Sequence, residues 1–156
     1  MKEKKVETFI YKDLGFPIRL INVPMKKIFG EWFLDINLSK LQIHILNMLI
    51  HKPIPLTGAE IRFIRKYFEM TTSVFGNTFG ATHVAVLKWE KDEARMNPAT
   101  EVCIRLFVLD RLRAKDKEFR NFYHEIRIEN LNKYRKDKVK EKLFEIDAND
   151  DLLIAL

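Results

Sequence analysis

Met70-Thr71-Thr72-Ser73-Val74-Phe75-Gly76-Asn77-Thr78-Phe79-Gly80-Ala81-Thr82-His83-Val84-Ala85-Val86-Leu87-Lys88-Trp89-Glu90 is the stretch whose reading decides the fold. Two short helices joined by a tight turn fit it. Thr71 is placed to cap the first helix, and Phe75 and Phe79, four residues apart, put their rings on one face. Gly76 leaves no side chain where the second helix must pass. Gly80 supplies the positive φ of the turn, and Thr82 caps the next helix. Val86 and Trp89 then point inward, and His83, Val84, Leu87 and Lys88 cannot all follow them. A small residue, a turn glycine and apolar positions in one register make the pattern of a helix-turn-helix.

The flanks extend this helical reading. Upstream, Thr57-Gly58-Ala59-Glu60 is a capping box, with Ile61, Ile64 and Phe68 as the buried face behind it. Downstream, Asn97-Pro98 opens a helix as N-cap and first residue. Val102, Leu106 and Leu109 are expected to form its apolar stripe, with Cys103 a small core residue. Residues 56–113 are therefore read as an all-α domain of consecutive short helices.

Residues 1–55 read differently. Thr8–Tyr11, Ile18–Val23 and Trp32–Ile36 alternate apolar and polar side chains between Gly15, Pro17, Pro24 and Gly30. That predicts a small antiparallel sheet. From Asn37 to Ile50 the period changes, and Leu38, Leu41, Ile45, Leu46 and Leu49 predict a helix. His51-Lys52-Pro53-Ile54-Pro55 should end it and form a stiff linker. Residues 114–156 read as a helical, basic extension. Its apolar face is Phe119, Phe122, Tyr123 and Ile126, its basic run is Lys133 to Lys142, and its apolar end is Leu152 to Leu156. The fold class expected is α+β.

Composition narrows the function. Apolar residues make up 47% and charged residues 32%, a globular balance rather than a disordered one. The apolar runs are too short and too charged to span a bilayer, and no apolar run follows the lysine-rich start as in a signal peptide. The single cysteine excludes an internal disulfide or a cysteine metal cage. A cytoplasmic protein is expected. His44, His51, His83 and His124 are scattered without metal-ligand spacing, and no phosphate loop or nucleophile elbow occurs. Neither an enzyme, nor a cofactor, nor a metal is expected. A net charge of +6 favours a polyanionic partner.

The stretch from Thr71 to Glu90 resembles the helix-turn-helix of the Cro/repressor (XRE) superfamily, with Trp89-Glu90-Lys91 matching its aromatic-Glu-basic ending. The similarity continues through Asp92-Glu93-Ala94-Arg95-Met96-Asn97-Pro98-Ala99-Thr100 and Arg105-Leu106-Phe107-Val108-Leu109-Asp110, which look like the MqsA-type antitoxin family. Leu56 to Lys66 looks like the first helix of relatives of that family, and Tyr11, Leu14-Gly15-Phe16-Pro17 and Leu20-Ile21-Asn22-Val23 match the elements before it. The family's zinc-binding cysteines are absent.

The resemblance implies that residues 56–113 form a five-helix DNA-binding domain. It also implies a homodimeric repressor, the antitoxin or autoregulator of a toxin–antitoxin-type operon, that reads a palindromic double-stranded operator through the major groove. By matched position Thr72 contacts phosphate, and Thr82, His83, Val84, Leu87 and Lys88 lie on the DNA side. Lys88 can donate to guanine and His83 to a base or a phosphate. Val84 stands where the antitoxin has a polar base-reading residue and can read only shape or a thymine methyl. Asp92 stands where a glycine commonly ends the recognition helix, and aspartate tolerates the left-handed conformation. Arg62, Arg65 and Lys66 fit either phosphate contact or a solvated helix face. Two alternatives remain: an interaction module that sequesters a toxin or other partner, and a stand-alone regulator of phage or mobile-element type.

Overall fold

The structure, a computed structural model, describes residues 4–112, 116–126, 131 and 141–148. The elements run β1 (Lys4–Tyr11), β2 (Ile18–Ile28), β3 (Glu31–Leu34), α1 (Leu38–Ile50), α2 (Gly58–Tyr67), α3 (Thr72–Thr78), α4 (His83–Glu90), α5 (Pro98–Arg111), α6 (Asp116–Glu125) and β4 (Phe144–Asp147). This is an α+β chain with a small N-terminal sheet. It falls into two compact units: the sheet with the start of α1, and the segment from Leu46 to Glu141.

In the sheet, β1 and β3 both pair antiparallel with β2, with Tyr11 opposite Ile18 and Ile28 opposite Glu31. The sheet is not wholly antiparallel, because β4 pairs parallel with β2, Ile18 facing Phe144 and Ile21 facing Asp147. Residues 144–147 thus leave the helical extension expected for them. Phe144 and Ile146 are buried, while Glu145 meets Arg19 at 3.4 Å and Asp147 accepts from Asn22 at 2.8 Å. Four residues of alternation beside a long charged run are too short a signal to read from sequence. The basic residues 133–140 and the apolar end 152–156 lie outside the described residues, as do the side chains of Phe119 and Tyr123; Phe122 and Ile126 are buried as expected.

The turn between β2 and β3 holds only Phe29 and Gly30, at φ 49° and 83°. Positive φ at both positions suits a right-twisted hairpin, but the residue normally found first is asparagine or aspartate. Phe29 is also fully exposed (103%). Phe29→Asn should therefore stabilise the protein by about 1 kcal/mol, the left-handed penalty it relieves. A thermal melt should show Tm rising by roughly 2–4 °C; a fall would mean that the Phe29 ring makes contacts of its own.

Helix α1 buries Leu41, Ile45, Leu46 and Leu49 as its spacing predicts, and Ile50 with them. Leu38, the first helical residue, is exposed instead. The stretch after it is not a free linker. Lys52 is buried and its ammonium grips the Glu60 carboxylate, while the guanidinium of Arg105 donates to the carbonyls of Ile50, Lys52 and Ile54. Between residues 56 and 112 the chain forms four helices rather than five, α6 lying beyond the expected boundary.

Helix α5 corrects a second expectation. Its buried face is Glu101, Ile104, Arg105, Val108 and Leu109, so Leu106 and Cys103 are exposed and Val102 is only half-buried. Two charged residues can face inward because they satisfy each other: Arg105 Nη2 donates to Glu101 Oε2 at 2.9 Å, and Glu101 Oε1 accepts from the Leu56 amide at 3.0 Å. Burial pushes the Glu101 carboxyl above the ordinary carboxylate range and the Arg105 guanidinium below its own; their mutual attraction offsets part of that cost.

Candidate functional site

Helices α3 and α4 are placed by caps and by one absent side chain. Thr71 Oγ1 accepts from the Val74 amide, and Thr82 Oγ1 from the Ala85 amide, each at 3.1 Å. A Cβ on Gly76 would lie 2.7 Å from the Ala81 carbonyl oxygen, so only glycine lets the chain turn this closely back. Gly80 has φ +71°, and the Ala81 amide reaches back to the Gly76 carbonyl at 2.8 Å. That is a Schellman ending. Helix α2 ends the same way at Glu69 (φ 55°), with Met70 N–H donating to Arg65 O, and α4 at Asp92 (φ 56°), with Glu93 N–H donating to Lys88 O.

Aromatic rings tie these helices to their neighbours. Phe75 meets Phe79 edge-on at 4.9 Å between centroids, Phe79 meets Phe107 of α5 at 5.5 Å, and Phe107 meets Phe68 at 5.3 Å. Val86 and Trp89 are buried, as the register predicts. The opposite side of α4 faces out: Thr82, His83, Val84, Leu87 and Lys88 are all exposed. Thr72, the first residue of α3, is half-buried. The sequence-predicted residues on α4 therefore share one accessible face. The Thr82 hydroxyl accepts at the cap, which leaves its proton available to a further acceptor.

Three contributors were not identified from sequence. Arg65, read there as a phosphate contact or a solvated cation, is neither. Its Nε donates to Glu90 Oε1 at 2.6 Å and its Nη1 to the Met70 carbonyl at 3.0 Å, fastening α2 to α4. Gly58 packs against the end of α4, and its amide donates to Asp92 Oδ1 at 2.9 Å. Lys91, the C-cap of α4, is exposed beside Lys88. A signal for the Arg65 clamp lay in the Trp-Glu-Lys ending, whose glutamate looks outward on a helical wheel until a partner is assigned.

The electrostatics of the site follow. From Thr71 to Lys91 the only charged residues are Lys88, Glu90 and Lys91. Glu90 is closed by Arg65, and among the described residues no carboxylate pairs with Lys88 or Lys91. The accessible face is thus purely cationic, with hydroxyl, imidazole and apolar groups between the charges. No family model, curated protein or solved structure matched the chain. What the face can do therefore rests on its side chains: it can attract a polyanion, donate hydrogen bonds from Thr82, His83 and Lys88, and pack apolar surface at Val84 and Leu87. Among the described residues no group of histidine, cysteine and carboxylate side chains could hold a metal ion, and no helix is long and apolar enough to cross a membrane.

The sheet unit carries a second surface. An open groove there is lined by Phe9, Tyr11, Met25, Trp32, Phe33 and Leu38 among others, with Phe33 and Leu38 exposed. Burial and the neighbouring Asp13 raise the Tyr11 hydroxyl above its ordinary range, so it is a neutral hydrogen-bonding group at the groove wall.

Proposed function

We propose that α3 and α4 are a Cro/repressor-type helix-turn-helix and that the protein is a sequence-specific, double-stranded DNA-binding transcriptional repressor. The observation that carries this reading is the outward face of α4, exposed, cationic and free of unpaired carboxylates among the described residues, on a helix whose other side is locked inward. Such a face suits the major groove, where Lys88 donates to guanine O6 or N7, and His83 to a base or phosphate. Thr72 and Thr82 donate to phosphate, which fixes register without reading sequence.

Two copies bind a palindrome, with recognition helices about one DNA turn (~34 Å) apart. The likeness to MqsA-type antitoxins supports an autoregulator of a toxin–antitoxin-type operon. A mobility shift on DNA upstream of the protein's own reading frame tests it. Lys88→Ala should weaken binding by roughly 5- to 150-fold, the equivalent of ~1–3 kcal/mol, and relax one position of the site. Unchanged affinity would remove Lys88 from the interface.

The groove beside Phe33 and Leu38 favours a second reading, in which the sheet unit sequesters a toxin or other protein. Failure to bind promoter DNA even at low salt would make that the leading function.

A further inference from the structure

Val84 and Leu87 are the anomalous members of the α4 face. They are 47% and 39% exposed on a helix that has a buried side available to apolar residues, and neither can make a hydrogen bond. They stand three residues apart on the same face, with the cations Lys88 and Lys91 following them toward the C-terminal end of the helix. Resting on the DNA-binding reading above, we infer that Val84 and Leu87 pack against thymine C5-methyl groups, so that each half-site carries thymines in neighbouring base pairs next to the base read by Lys88.

The chemistry leaves one apolar partner. Base-pair edges in the major groove present hydrogen-bond donors and acceptors, and the thymine methyl is the one apolar group among them. Pressed against a G·C pair, valine or leucine strips water from donors and acceptors and gives nothing back. Against thymine, methyl covers methyl. The spacing agrees: three residues of α-helix rise about 4.5 Å, close to the ~3.4 Å between stacked base pairs. Lys88 and Lys91, both on the C-terminal side of the pair, draw the helix to the polyanion while the apolar pair discriminates. Specificity at these positions therefore comes from what is excluded as much as from what is bound.

The test uses the full chain and alters the DNA. Duplexes selected from a random pool by the intact protein define the preferred site, and each thymine in it is then replaced by deoxyuridine, which removes only the methyl. Two positions per half-site should each weaken binding by about fourfold, the fold-change equivalent to ~0.8 kcal/mol for one buried methyl group. Val84→Ala should abolish the sensitivity at one of them and Leu87→Ala at the other. A selected site indifferent to uracil everywhere overturns the inference and leaves the DNA-binding reading standing. Selection of no site at low salt overturns both and makes Val84 and Leu87 a protein-facing surface.

Discussion

Glu60→Gln should destabilise the protein by about 3–5 kcal/mol, the cost of leaving one member of a buried ion pair without its partner. Lys52 and Glu60 are almost wholly buried, and the Lys52 ammonium contacts both oxygens of the carboxylate. Glu60 also closes the capping box, its Oε1 accepting from the Thr57 amide at 2.9 Å. Glutamine keeps an oxygen for that amide, so the substitution isolates the charge. Lys52→Met should cost a similar amount by stranding the carboxylate. The double variant strands nothing and should fall well short of the sum of the two. Urea unfolding at constant slope measures all three. A Glu60→Gln midpoint close to the parent's would mean that Lys52 reaches solvent and is not held in the core.

That buried pair marks the limit of what the sequence discloses. Caps are local: Thr57, Thr71, Thr82 and Asn97 each act on an amide two or three residues away, and all four were legible. So were Gly76 and Gly80, because a tight helix–helix turn makes demands that few other residues meet. The inward residues Val86 and Trp89 of α4 were legible, as were Ile61 and Ile64 of α2, whereas Phe68, expected with them, is the half-buried C-cap of that helix. Helix α5 was legible only at Leu109, because Glu101 and Arg105 take the inward side and leave Leu106 exposed and Val102 half-buried. Periodicity assumes that charge faces water. It fails where two opposite charges four residues apart neutralise each other and carbonyls from a distant segment accept from both terminal nitrogens of the guanidinium, leaving only Arg105 Nε without a partner among the described residues. The same holds for Arg65 and Glu90, 25 residues apart, and for Arg19 and Glu145, 126 residues apart. A sequence pattern cannot show which charges meet across such distances.

The candidate site depends on these illegible contacts more than on its own residues. The apolar pattern of α4 does not fix its angle to α2; its last residue, Glu90, does so through Arg65, and Asp92 just beyond it through the Gly58 amide. Asp92 also explains why glycine is not needed at the end of α4. Its left-handed backbone costs about 1 kcal/mol relative to glycine, and its carboxylate supplies a charge-assisted hydrogen bond that glycine cannot make.

Gly58→Ala should be the most damaging of the glycine substitutions, costing on the order of 3 kcal/mol or more, as overpacking does when backbone blocks the new atom. A Cβ there would sit 2.4 Å from the Glu90 carbonyl oxygen and 2.5 Å from that of Trp89. Neither atom belongs to a side chain that can swing away, and both lie in the last turn of α4. That turn is held by its Schellman ending and by the Arg65 clamp. Relief requires the start of α2 and the end of α4 to part, which breaks the Gly58–Asp92 hydrogen bond and tilts the exposed face of α4. Gly15→Ala is the control: its φ of +98° is unfavourable to alanine, but no atom lies within 4 Å of the added methyl, so about 1–2 kcal/mol is expected. The two variants separate steric from conformational cost by denaturant unfolding. Equal midpoints would show that α2 and α4 give way easily, and the face of α4 would then lack the rigid support that reading DNA requires.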